Sequence, residues 1–124
     1  MGELRVLIVD DEGDLVSAMA ERLALRGFQI DVATNGDDAL RLVREEPLDA
    51  AVVDVKMPGL GGLGLLAAIK RAKADLPVIL FTGHSSVADA ELGMRAGAFD
   101  YIIKPVDIDT LAEKLRQATA VNES

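Results

Sequence analysis

Short apolar runs alternate five times with segments of helical period along the 124-residue chain. Leu4–Val9 reads as a strand. Glu12–Arg26 reads as a helix, with Leu15, Met19 and Leu23 at i, i+4 and i+8 and Gly27 closing its C-terminal end. Phe28–Ala33 reads as a second strand and Asp37–Glu45 as a helix stopped by Pro47. Ala50–Val53 is a third strand, followed by a glycine-rich loop and a helix near Leu65–Lys73. Pro77 introduces a fourth strand, Val78–Phe81, and Ser86 caps a helix ending near Arg95 before the Ala96-Gly97 pair. Phe99–Ile103 is the fifth strand; Pro105 breaks the chain, and Asp107 or Asp109 opens a last helix with Leu111 and Leu115 on its inner face. Strands one, three and four are continuous apolar runs, the pattern of strands covered by helices on both faces. The alternation predicts an α/β fold, a doubly wound parallel sheet with right-handed crossovers.

Composition narrows the function. This length suits one domain with one core, and no repeat or internal linker interrupts residues 1–124. A formal net charge of -8 argues against direct nucleic acid binding, which rests on Lys and Arg neutralising phosphates. Without cysteine, neither disulfides nor thiol chemistry are available, which suits a reducing cytoplasm. The N-terminus lacks the blocks of a signal peptide. Val6 stands where a myristoylation signal needs Ser or Thr. The apolar stretches are too short to span a bilayer. The expectation is a cytoplasmic protein, or module, with no membrane association.

In an open parallel sheet, ligands bind outside the carboxyl ends of the strands, where the strand order reverses. For the order 2-1-3-4-5 that point lies between strands one and three. Strand one delivers Asp10, Asp11 and Glu12 there, strand three Asp54, strand four Thr82 and Gly83, and strand five Lys104. Each has an ordinary explanation alone: Asp10 or Asp11 as a helix cap, Asp54 as a turn former, Lys104 as a solvated charge. Together they do not. Two like charges about 4 Å apart cost roughly 4 kcal/mol at an effective dielectric near 20, a large share of the roughly 5–15 kcal/mol that holds a domain folded. Carboxylate oxygens with no neighbouring His or Cys favour Mg²⁺ as the offsetting cation. A carboxylate, a hydroxyl and an ammonium around such an ion make a phosphoryl-transfer site, with Asp54 as a possible nucleophile.

These residues resemble the receiver domains of two-component response regulators. The resemblance covers essentially the whole chain and rests on VDDE at 9–12, DVKMPG at 54–59, TGH at 82–84 and YIIKP at 101–105. It implies the (βα)5 flavodoxin-like fold. It implies that Asp54 takes a phosphoryl group from the phosphohistidine of a histidine kinase or histidine phosphotransfer protein. By the same resemblance Asp11, Asp54 and the backbone carbonyl of Lys56 ligate Mg²⁺, and Asp10 contacts it through water. Lys104, before a cis Pro105, contacts the phosphoryl group. Thr82 bonds a phosphoryl oxygen, and Tyr101 is the aromatic that moves with it. Alternation places Tyr101 and Lys104 on opposite faces of the sheet. The resulting change in the face formed by helix four, strand five and helix five would be read by a downstream effector protein or effector domain. Lys56 and His84, each two residues past a site residue, would tune the phosphoryl lifetime. Leu15 and Ala18 lie where the family docks its histidine-bearing partner, with core packing the competing role for Leu15.

One stretch departs from the family pattern. Gly61 and Gly64 stand where many receivers have acids, leaving GLGGLG at 59–64. That run matches the GxGxxG dinucleotide fingerprint, yet Asp54–Pro58 separates it from the strand and no acid stands at the end of the next strand to hold a ribose. The expectation is instead a flexible loop and a weakly capped third helix, since glycine costs about 1 kcal/mol per helical position. Two other functions compete with the switch: a nucleotide- or flavin-binding module of the same fold, and a metal-dependent phosphohydrolase. The phosphohydrolase would need an acid two residues past Asp54, where Lys56 stands.

Overall fold

Val6, Leu7, Ile8 and Val9 are all completely buried, so both faces of the first strand are covered, as a continuous apolar run demands. The computed structural model describes residues 3–57, 59 and 61–123, without the side chains of His84 and 121–123. The elements follow in strict alternation: β1 Arg5–Val9, α1 Gly13–Ala24, β2 Gln29–Ala33, α2 Gly36–Glu45, β3 Ala50–Asp54, α3 Gly61–Ala72, β4 Val78–Thr82, α4 Val87–Arg95, β5 Asp100–Ile103 and α5 Ile108–Glu123. The five strands are parallel and ordered β2-β1-β3-β4-β5. The order reverses at β1, so a crevice opens between β1 and β3 at their carboxyl ends.

The alternation of side chains along each strand divides the core in two. Leu7, Val9, Val53, Leu80 and Val78 face Ala39 and Val43 of α2, Leu65, Leu66 and Ile69 of α3, and Ala90 of α4. Val6, Ile8, Val52, Ile79 and Phe81 face Val16, Met19 and Leu23 of α1 and Leu111 and Leu115 of α5. The inner stripe of α1 therefore runs through Val16, Met19 and Leu23, whereas Leu15 is half-buried at its margin. Period 3.6 admits either neighbour in the first turn, and the packing of β1 chooses Val16.

Two helix starts differ from the sequence expectation. Residues His84–Ser86 form a short 3₁₀ turn before α4, and the Ser86 side chain makes no capping bond. Helix α3 begins at Gly61, a full turn earlier than the apolar spacing indicated. Its cause is contact. A Cβ on Gly62 would lie 2.2 Å from the Asp54 carbonyl oxygen and 2.6 Å from the Val55 Cα. The Gly62 N–H donates to the Val55 carbonyl at 3.1 Å. Gly61 has φ +78°, a conformation that favours glycine. The helical cost of these glycines is offset by an approach to the β3 turn that no side chain would permit. Of the loop before them, Pro58 and Leu60 lie outside the described residues.

The contrast between two glycines tests this. Gly62→Ala should destabilise the domain by about 2–3 kcal/mol, because backbone and not a movable side chain occupies the Cβ position. Gly13→Ala, with open space at its Cβ, should be neutral or stabilise by up to about 1 kcal/mol. Urea denaturation of both variants gives the comparison, and equal stabilities would refute the close-packing account.

Candidate functional site

Val9 and Val53 are register partners, so the residues that follow them, Asp10 and Asp54, end up side by side at the carboxyl edge. Asp10 is fully buried and Asp54 is 3% exposed, while Asp11 is exposed. One carboxylate oxygen from each of the three lies within 4.8 Å of the others. The backbone holds two of them in place. The Glu12 N–H donates to Asp10 Oδ1 at 3.0 Å, and the Lys56 N–H donates to Asp54 Oδ1 at 3.1 Å. Neither Asp10 nor Asp11 caps α1, since Glu12 occupies the cap position and no side chain bonds there.

Lys104 enters from the turn after β5. Its own N–H donates to the Thr82 carbonyl at 2.7 Å, which ties the turn to β4, and the Lys104–Pro105 peptide is cis. The ammonium Nζ then lies 3.4 Å from Asp10 Oδ2 and 3.3 Å from Asp54 Oδ2. It also sits over the Phe81 ring, 4.9 Å from the centroid. Phe81 is the register partner of Asp54, a contact the sequence reading did not identify. The signal was available: Phe81 immediately precedes Thr82 and points to the opposite face.

Three carboxylates and one ammonium leave the cluster with excess negative charge. Burial pushes the Asp10 carboxyl up to about 6; the Glu12 N–H opposes this, the Asp54 charge adds to it, and Lys104 offsets part. Burial also disfavours the Lys104 cation, but Asp54 and Asp10 outweigh it and raise its pKa. Such an oxygen-only donor set, partly desolvated and short of positive charge, can hold a metal ion.

Two further predicted residues, Thr82 and Tyr101, fall on the other face. Thr82 ends β4, fully buried, with its hydroxyl donating to the Gly83 carbonyl at 3.1 Å. Tyr101 is the register partner of Leu80 and packs half-buried against the core under α2, α3 and α4. Thr82 and Tyr101 thus share one face, and Lys104 lies with Phe81 on the opposite one. The Lys56 side chain is exposed at the mouth of the crevice. The His84 side chain lies outside the described part. Ala18 is half-buried on α1.

Known proteins share this fold. Residues 6–116 match the family described as the response regulator receiver domain. The chain is 37% identical over 126 residues to the transcriptional regulatory protein PrrA of Mycobacterium leprae, covering 97% of this chain and 54% of that protein. It is 37% identical over 119 residues to the transcriptional regulatory protein ZraR of Salmonella typhimurium, covering 96% of this chain and 27% of that one. The chain thus spans about half, or less, of the length of these curated relatives. Among solved structures, the crystal structure of a response regulator receiver domain protein from Clostridium thermocellum superposes with a TM-score of 0.93 at 30% identity, covering 97% of each chain.

The raised Asp10 carboxyl has a consequence for stability. A carboxyl whose folded pKa lies above its unfolded value makes the metal-free protein less stable as pH rises, until the pH passes the folded pKa near 6. Asp10→Asn retains an acceptor for the Glu12 N–H and removes the charge. It should stabilise the metal-free domain by about 1–2 kcal/mol at pH 7.5 and by clearly less at pH 5. Urea titrations in a chelator at the two pH values measure the difference; a gain independent of pH would contradict the electrostatic origin.

Proposed function

The chain belongs to the response regulator receiver domain family, and on that premise we propose that Asp54 is the residue that carries the phosphoryl group. Receiver domains are the phosphoacceptors of two-component signalling, and this chain is one of them, a signalling switch of the (βα)5 flavodoxin-like fold. The observation that carries the assignment is the position of Asp54. It is a buried carboxylate at the end of β3, held by a backbone N–H and faced by an ammonium at 3.3 Å. Asp10 is as buried, and burial raises its carboxyl toward the protonated form.

In the proposed reaction an oxygen of Asp54 bonds to phosphorus as the P–N bond of the partner's phosphohistidine breaks. The leaving nitrogen keeps the bonding electron pair. The Lys56 N–H and Lys104 fix the carboxylate before the donor arrives, which lowers the entropic part of the barrier. Lys104 then bonds an oxygen of the transferred group. The donor set fits Mg²⁺, which Asp10, Asp11, Asp54 and the Lys56 carbonyl would hold and which would supply positive charge against the phosphoryl oxygens.

The output follows from the two faces. A phosphoryl group on Asp54 is a strong acceptor beside Thr82. The Thr82 hydroxyl turns from the Gly83 carbonyl toward it, and the space it leaves lies on the face that holds Tyr101. Inward rotation of the Tyr101 ring changes the α4-β5-α5 surface, on which Glu91 and Arg95 are exposed. Lys56 and His84, at the mouth, set how fast water removes the group. Response regulators work with histidine kinases and effector domains. For this chain the partners we infer are a histidine kinase or histidine phosphotransfer protein upstream, with Ala18 and the half-buried Leu15 of α1 in the contact, and an effector protein or domain downstream. Residues 1–124 act as one receiver unit, in the cytoplasm, where such phosphodonors and a cysteine-free chain belong. Among the described residues no helix is long and apolar enough to cross a membrane.

Asp54→Asn should abolish loading by acetyl phosphate in the presence of Mg²⁺, read as added phosphoryl mass on the intact protein, while the fold persists. Full labelling of that variant would reject Asp54. Thr82→Ala should still load but transmit poorly. Beryllofluoride, standing in for the phosphoryl group, should shift backbone amide signals of residues 84–108 in the parent and far fewer of them in Thr82→Ala. Identical shift patterns would remove Thr82 and Tyr101 from the switch.

A further inference from the structure

Lys104 has a third neighbour besides its two carboxylates. Phe81 is fully buried and stands beside Asp54 in the sheet register. Its ring centroid is 4.9 Å from Lys104 Nζ, within the roughly 6 Å over which an aromatic face attracts a cation. The distances to Asp10 Oδ2 and Asp54 Oδ2, 3.4 Å and 3.3 Å, exceed the about 2.7–2.9 Å of a tight charge-assisted hydrogen bond. The ammonium is therefore suspended among three negative surfaces and clamped by none.

These three attractions do not survive the reaction equally. When Asp54 becomes an acyl phosphate, its carboxylate charge passes to the phosphoryl oxygens and its hold on Lys104 changes. Asp10 is shared with the other charges of the crevice. The Phe81 ring is the one surface whose attraction is the same before and after transfer. Its place beside the lysine is secured by the backbone, because the Lys104 N–H bonds the Thr82 carbonyl, one residue beyond Phe81.

We propose that Phe81 is a positioning residue for phosphoryl transfer, its ring holding the Lys104 ammonium at the level of Asp54 so that it can pass from the carboxylates to the incoming phosphoryl oxygens. The role rests on the assignment of Asp54 as acceptor and Lys104 as phosphoryl contact. A leucine would fill much of the same space in the α1–α5 core but would present no negative face.

The test grades the ring's electrostatics at nearly constant volume. Phe81 is replaced by 4-fluoro- and 3,4,5-trifluorophenylalanine, and loading of Asp54 by acetyl phosphate with Mg²⁺ is timed by intact mass. The rate should fall progressively, about threefold to tenfold across the series, with melting temperatures held. In a Lys104→Ala background the series should be flat. In the parent, the Lys104 ε-methylene proton signals should carry a ring-current shift that Phe81→Leu abolishes. A flat series with Lys104 present, an equal fall without it, or an unshifted signal in the parent would each overturn the role of Phe81 while Asp54 still loads. A parent that takes no phosphoryl group on Asp54 would overturn the underlying assignment, and this role with it.

Discussion

The mutual repulsion of Asp10 and Asp54, buried side by side at the carboxyl edge of the sheet, governs the chemistry of this domain. Parallel register between β1 and β3 brings the two together, and the helices that cover the sheet deny them water. A single ammonium at 3.3–3.4 Å relieves part of the charge. What remains is a site that gains stability from added positive charge, and burial first, with the Asp54 charge adding to it, raises the proton affinity of Asp10. A proton and the lysine therefore relieve the same charge in one crevice that can hold a metal ion, which couples stability to pH.

The sheet divides these residues between its two faces. Asp10, Asp54, Phe81 and Lys104 lie toward the side packed by α1 and α5, whereas Thr82 and Tyr101 lie toward α2, α3 and α4. Thr82 ends the strand next to that of Asp54, and its hydroxyl donates to the Gly83 carbonyl. The glycine at position 62 serves the same region from the opposite direction, bringing the start of α3 onto the backbone of Asp54 and Val55 and so fixing the turn that follows Asp54.

Much of this was legible in the chain. The apolar runs of strands one, three and four announced strands buried on both faces, and the polar residues at the strand ends named the crevice. Where the reading failed, the cause was a choice that local pattern leaves open. Leu15 and Val16 both suit the first turn of an amphipathic α1, and only the position of β1 decides that Val16 goes inward. Ser86 has the chemistry of a cap, but a preceding 3₁₀ turn leaves its side chain without that bond. Helix propensity argued against Gly61 and Gly62 as a helix start. Propensity is worth about 1 kcal/mol per residue, and a backbone contact that excludes every Cβ outweighs it.

By itself, the sequence determined the order of elements, the acids and the cation that meet at one edge, and the assignment of Tyr101 and Lys104 to opposite faces, because these follow from periods of 2 and 3.6 and from the rule that parallel strands present their ends together. Only the tertiary structure decided what depends on distance between residues far apart in the chain. Lys104 Nζ sits between two carboxylates and over the ring of Phe81, Asp10 is fully buried while its neighbour Asp11 is exposed, and Gly62 touches the backbone of Asp54 and Val55. Electrostatic energies and steric exclusions of this kind change steeply over an ångström, and no periodicity in a sequence has that resolution.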